Sequence, residues 1–213
     1  LQFPKTYQSI EYGSSSPKRV AILISGAGSN MVQLVKSMRA DCLAHCALVL
    51  SNVREAKGLA RARSLSVATT TLDHKSYTNN REAYDIALHN ILLDHKIDVI
   101  CLAGFMRILT PFFISLWANK ILNIHPSLLP KYKGLKTHQR VLDAGEKETG
   151  CSVHLVTEKL DAGAVLGYAS VKVLRGDTAD TLADRVLEKE HKLYPLVLQR
   201  FLQGEMDLLV FND

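Results

Sequence analysis

After its leading arginine, the run Arg19-Val-Ala-Ile-Leu-Ile24 is unbroken by any polar residue. A strand wetted on one face alternates polar with apolar side chains, so this run predicts a strand covered on both faces. Ile97-Asp-Val-Ile-Cys-Leu-Ala103 predicts a second one. Between and after these runs the chain shows helical periodicity, and strand alternating with helix is the signature of a parallel sheet flanked by helices. The spacing of Met31, Leu34, Val35 and Met38 predicts a helix capped by Ser29 or Asn30. A strand over 47–51, a helix over 56–65 and a strand over 68–72 follow. A long helix then starts at Asn79 or Asn80 and ends near His95. Pro111 opens a helix to Trp117, and Lys120 to His125 reads as a strand. Past a loop of about a dozen residues, unusually long and so of functional interest, come a short helix over 138–144 and a strand over 151–156. Residues 165–174 predict its antiparallel partner. A final helix opens at Thr178 or Asp180 and runs to Leu202, with Leu182, Val186, Leu193 and Val197 inward. The expected class is therefore α/β, a doubly wound, mostly parallel sheet with an antiparallel C-terminal portion.

With 213 residues, 47% of them hydrophobic, the chain is long enough for one well-buried core. One domain over 18–213 is expected, behind a polar extension over 1–17 that is expected to be poorly structured. Net charge is +5, from 26 basic and 21 acidic residues, without a basic run of the kind nucleic acid requires. A small acidic substrate suits that balance better. No apolar stretch approaches the roughly 20 residues that span a bilayer. The four cysteines Cys42, Cys46, Cys101 and Cys151 lack the paired spacing of a zinc site and suit a reducing, cytoplasmic setting. No metal, no nucleic acid and no membrane partner are expected.

The chemistry concentrates in Lys120-Ile-Leu-Asn-Ile-His-Pro-Ser-Leu-Leu-Pro130. Side chains two apart on a strand share a face, so Asn123 and His125 point together where the strand must stop at Pro126. Carboxyl ends of strands are where open α/β sheets place ligands. An amide beside an imidazole can hold an oxyanion and move a proton, although an edge strand with a polar face would look the same. Gly26-Ala-Gly28 follows the first strand, but the third glycine of a dinucleotide fingerprint falls at Met31, and Ser51-Asn52 supplies no ribose-binding acid. What remains is a helix N-terminus at Gly28, Ser29 and Asn30 suited to one phosphate, or else a tight turn. Glu190 falls on the apolar stripe of the last helix, either paired or contacting a ligand there, or lying at its rim. Asp161 sits in the turn Lys159-Leu-Asp-Ala-Gly163, where an aspartate can equally be a turn former.

Four stretches taken together resemble the folate-dependent formyltransferases. They are Ile24-Ser-Gly-Ala-Gly-Ser-Asn30, Leu102-Ala-Gly-Phe-Met-Arg-Ile-Leu109, Leu122-Asn-Ile-His-Pro-Ser-Leu-Leu-Pro-Lys-Tyr132 and Leu160-Asp-Ala-Gly163. The third, with its later Asp, marks the superfamily; the first two narrow the resemblance to the branch that acts on glycinamide ribonucleotide. The resemblance implies a Rossmann-like formyltransferase fold. It implies transfer of the formyl group of 10-formyltetrahydrofolate, a co-substrate, to the amine of that ribonucleotide in purine synthesis. Asn123, His125 and Asp161 would be catalytic, with Asp161 raising the His125 pKa. Gly28, Ser29, Asn30, Met106, Pro126 and Glu190 would hold the ribonucleotide. Arg81, Met106, Arg107, Ile108, Leu109 and Asn123, with Val156, Thr157, Glu158, Lys159, Leu160 and Asp161, would border the folate. A monomer or homodimer with small-molecule substrates is expected. Methionyl-tRNA formyltransferase and formyltetrahydrofolate hydrolase share the trio and are the nearest alternatives; a non-catalytic nucleotide-binding regulator is the alternative of another class. Lys136 and Ala164 depart from the family pattern, which commonly has His and Pro there, and His138 and His154 are expected to be structural.

Overall fold

The computed structural model describes residues 16–41, 43–78 and 80–212. The expectations for residues 1–15, for Cys42 and for Asn79 as a helix start lie outside the described residues. The chain runs β1 (Lys18–Ile24), α1 (Ser29–Asp41), β2 (Ala44–Ser51), α2 (Lys57–Ser64), β3 (Thr69–Thr71) and α3 (Arg81–Asp94). It continues through β4 (Val99–Leu102), α4 (Pro111–Leu116), β5 (Ile121–His125), α5 (Thr137–Asp143), β6 (Glu148–Leu155), β7 (Val165–Lys172), α6 (Ala179–Leu202) and β8 (Leu209–Phe211). A short 3-10 turn at His74–Tyr77 joins β3 to α3.

One sheet holds all these strands in the order β3-β2-β1-β4-β5-β6-β7-β8. Pairs from β3 across to β5 are parallel, β6 is antiparallel to both β5 and β7, and β8 returns parallel to β7. The order reverses between β1 and β4, which opens a crevice beyond their carboxyl ends. The expected α/β class and the antiparallel C-terminal portion are what the sheet has. Strand β2 starts three residues earlier than expected, extending its pairing with β1 back to Lys18. β8 was not expected, because three residues carry too little periodicity to read as a strand.

Alternate side chains of β1 enter opposite cores. Val20, Ile22 and Ile24 pack with α1 and α6, whereas Ala21 and Leu23 pack with α3 and α4. Both faces are thus dry, which is why the run carries no polar residue. Buried Tyr194 of α6 places its hydroxyl 3.2 Å from the Leu102 carbonyl and 3.0 Å from that of Leu122, tying the helix to β4 and β5 beside the crevice.

Gly163 closes the turn between β6 and β7. A Cβ there would lie 1.8 Å from the Leu155 carbonyl oxygen, so a methyl group has no room unless backbone moves. Gly163→Ala is expected to cost about 3 kcal/mol or more of unfolding free energy in urea denaturation, at the upper end of overpacking penalties. A loss below about 0.5 kcal/mol would show that the turn yields freely.

Candidate active site

Asn123 and His125 occupy alternate positions on β5, facing the same way, and β5 is an interior strand. The antiparallel register sets His154 of β6 directly opposite Asn123, and Ser152 opposite His125. Past β6 the chain turns back at Asp161, a non-glycine residue at φ +46°, a left-handed conformation that few side chains adopt without support. That conformation points the carboxylate inward, and the residue is only 9% exposed. Its Oδ2 accepts from the Gly134 N–H at 2.9 Å and lies 3.4 Å from His125 Nδ1; its Oδ1 lies 3.5 Å from His154 Nε2. The three residues expected to be catalytic are therefore gathered at one place. His154, expected to be structural, is gathered with them.

Acceptors and donors fix the protons. His125 Nε2 lies 2.9 Å from the Tyr132 carbonyl, which only accepts, so that nitrogen carries hydrogen. Nδ1 faces a carboxylate, which also rewards a proton. Both ring nitrogens are thus set to favour the imidazolium. Burial pushes the other way and is the larger influence, so the His125 pKa sits below its ordinary value even though Tyr132 and Asp161 raise it. Asp161 does act in the expected direction, but burial outweighs it. For Asp161 itself burial favours the neutral acid. The hydrogen bonds from His154 and Gly134, with the charges of both histidines, overcome that and hold its pKa at about 2. His154 Nδ1 lies 2.8 Å from the Leu155 carbonyl and so carries hydrogen, and its Nε2 lies 3.1 Å from the Asn123 amide nitrogen as well as beside Asp161.

Across the crevice, Gly28 has φ +71°, and a Cβ on it would lie 3.0 Å from the Gly58 Cα. The loop is pressed against α2, whose Gly58 N–H donates to the Gly26 carbonyl at 2.9 Å. Val32 N–H returns to the Gly28 carbonyl, so α1 starts immediately after Gly28. The N–H groups of its first turn face outward from the helix end, where an anion is favoured. Asn30 lies inside the helix rather than capping it. Its amide donates 2.7 Å to Glu190 Oε2, while its Oδ1 is buried without a partner. Glu190 is 8% exposed, so it points inward rather than lying at the rim. Burial raises its pKa to about 7, with the Asn30 bond opposing.

The loop 103–110 forms the other wall. Met106 and Ile108 are exposed, the Ile108 carbonyl accepts from Arg81 Nη2 at 2.8 Å, and the Arg107 guanidinium stacks 3.9 Å over the Tyr84 ring. Arg107 Nε and Nη2 are buried without hydrogen-bond partners. The Leu109 side chain belongs to the core beneath. Thr157 to Leu160 are exposed between β6 and Asp161, and Val156 packs half-buried under them. Pro126 is half-buried just past His125. Ser25 and Asn52, which sequence reasoning passed over, tie the segments after β1 and β2 through a hydrogen bond of 2.5 Å. His154 left a readable signal: Ser152 and His154 alternate with apolar Cys151, Val153 and Leu155, marking a polar face opposite Asn123 and His125. Among the described residues, no three His, Cys, Asp or Glu are placed to hold a metal ion. No helix there is long and apolar enough to cross a membrane.

A mostly parallel sheet with its order reversed at the crevice, an amide, an imidazole and a carboxylate gathered on one side and a helix N-terminus on the other, make up a doubly wound α/β fold. Residues 18–198 match the formyl transferase family, and the chain belongs to that family. It is 44% identical over 190 residues to phosphoribosylglycinamide formyltransferase of Escherichia coli, covering 89% of each chain. It is 47% identical over 198 residues to the bovine trifunctional purine biosynthetic protein adenosine-3, covering 92% of this chain but only 20% of that one. The chain thus spans about a fifth of such trifunctional relatives. The crystal structure of phosphoribosylglycinamide formyltransferase from Brucella melitensis superimposes with a TM-score of 0.83 at 50% identity, covering 88% of this chain and 96% of that one.

Asp161→Asn is expected to lower the His125 pKa further, since the Asp161 charge is one of the influences that raise it. An NMR titration of the His125 ring in the two proteins measures this; an unchanged or higher value in the variant contradicts the arrangement.

Proposed function

We propose that the chain transfers the formyl group of 10-formyltetrahydrofolate to the amine of glycinamide ribonucleotide. The observation that carries this reading is the convergence of Asn123, His125 and Asp161 on the wall facing the α1 N-terminus and Glu190. The family and the relatives' names support it. In this reading the Gly28–Asn30 turn takes the phosphate, Glu190 the ribose hydroxyls, and loops 106–109 and 156–161 border the folate, with Met106 and Pro126 between the two.

The ribonucleotide amine bonds to the formyl carbon, and the carbonyl electron pair moves to oxygen. The Asn123 amide and the His125 imidazolium stabilise that oxyanion, the former oriented by His154. Collapse breaks the bond to the folate nitrogen, which takes a proton from His125, while the attacking nitrogen sheds one to solvent, from which the imidazolium is restored. Asp161 offsets part of what burial takes from the imidazolium. As folded, the His125 Nε2 proton is held by the Tyr132 carbonyl, so its delivery requires the 126–136 loop to release it. Catalytic hydrogen bonds commonly rearrange in this way when substrate binds.

Purified protein supplied with 10-formyltetrahydrofolate and either glycinamide ribonucleotide, initiator methionyl-tRNA or water is expected to formylate the ribonucleotide; transfer to either other acceptor overturns the reading. His125→Ala and Asp161→Ala are each expected to lower kcat by about 100-fold or more, the scale of lost acid–base catalysis, with both KM values nearly unchanged.

Hydroxyl groups donate best to an ionised carboxylate. KM for the ribonucleotide is therefore expected to fall as pH rises through about 7, where Glu190 ionises. Glu190→Ala is expected to raise that KM by about tenfold and to flatten its pH dependence, on the scale of a hydrogen bond to a charged group. An effect confined to the folate KM would contradict this placement.

A further inference from the structure

We propose that Ser25 is a positioning residue that locks the folate-side loop to the ribonucleotide-side loop. This rests on the substrate placement proposed above. Ser25 directly follows β1 and immediately precedes the Gly26–Gly28 turn. Its Oγ accepts the Met106 N–H at 2.7 Å and lies 2.5 Å from Asn52 Oδ1. A backbone N–H can only donate, so the hydroxyl proton goes to Asn52, and one oxygen joins the loops after β1, β2 and β4. Ser25 N–H adds a second tie, to the Gly104 carbonyl at 3.0 Å. Asn52 is 3% exposed, and its own carbonyl accepts from the His74 backbone N–H at 3.2 Å and lies 2.6 Å from His74 Nδ1. The acceptor for Ser25 is thus itself held in place.

The far side of the same loop has separate anchors. Arg81 Nη2 donates to the Ile108 carbonyl, and Asp85 Oδ2 accepts from the Thr110 N–H at 2.7 Å. Loss of the Ser25 hydroxyl therefore loosens the loop at Met106 without releasing it. The Met106 N–H loses its acceptor, and the backbone that borders the folate is left to sample other conformations. A residue lying on the ribonucleotide side thus sets affinity on the folate side.

The test compares wild type, Ser25→Ala and Ser25→Thr, which restores a hydroxyl. Both substrates are varied in steady-state kinetics, and hydrogen exchange is followed over residues 104–109. Ser25→Ala is expected to raise KM for 10-formyltetrahydrofolate about tenfold, the scale of one lost hydrogen bond. Its kcat should change by less than about threefold, and the ribonucleotide KM, whose site Met106 also borders, should rise less than the folate KM. Exchange over 104–109 is expected to speed up, and Ser25→Thr to restore both readouts. General structural damage would lower kcat through the active fraction and leave the folate KM alone. Unchanged exchange in Ser25→Ala, an unchanged folate KM, or failure of the threonine to rescue overturns the proposal. If Ser25→Ala does not fold, Ser25→Cys, of similar shape but a weak hydrogen-bonding group, makes the same comparison. A wild type that transfers no formyl group defeats the substrate reading instead, and the exchange data still decide whether the tie exists.

Discussion

A carboxylate withdrawn from water costs several kcal/mol unless partners replace its hydration, and Asp161 is withdrawn almost completely. Its partners are the Gly134 N–H from the loop before α5 and the histidines from β5 and β6. No two of these lie on the same element. The charge therefore acts as a constraint on assembly: it is tolerable only where the turn after β6, the loop after β5 and the two strands have come together. The left-handed backbone at Asp161 and the missing side chain of Gly163 are what allow that turn to deliver it. The pressure runs in opposite directions on the two titratable partners. Burial would neutralise both; the pairing keeps Asp161 ionised and returns part of the imidazolium character that burial takes from His125.

The opposite wall solves a related problem with a different device. Among the described residues Glu190 is hydrogen-bonded by Asn30, and burial outweighs that bond, so its pKa rises to about 7 rather than falling. Near neutrality this carboxyl is partly protonated and responsive, whereas Asp161 is ionised throughout. Two acids on one fold thus differ in character because of the number and kind of groups around them. Between the walls, the reversal of strand order at β1 and β4 supplies the crevice, and Ser25 with Asn52 bridges its floor.

Much of the architecture was legible in the residues. The apolar runs of β1 and β4, a helix start read as Asn79 or Asn80 and found at Asn80, another read as Thr178 or Asp180 and found at Thr178, and the proline at the first turn of α4 each correspond to observed elements. Asn123 and His125 were legible as a pair because strand periodicity alone sets them on one face. Glu190 was legible because a carboxylate interrupts an apolar stripe. Asp161 was not legible from its own neighbourhood, where a turn-forming role accounted for it equally well; the family resemblance singled it out. Asn30 and Ser29 were read as helix caps, yet the helix begins at Ser29 and Asn30 turns to a partner 160 positions away in the chain.

Strand, helix and turn preferences act over a few residues, so the sequence by itself determined the alternation of elements, the two-faced burial of the central strands and the direction of Asn123 and His125. Contacts between distant segments depend on register, and register is a property of the assembled sheet. Only the tertiary structure set His154 across from Asn123, brought Asp161 between two imidazoles, and joined Ser25 to Met106. Those contacts decide which nitrogen carries a proton and how firmly each loop is held, because charge and hydrogen bonding respond to neighbours in space whatever their separation along the chain.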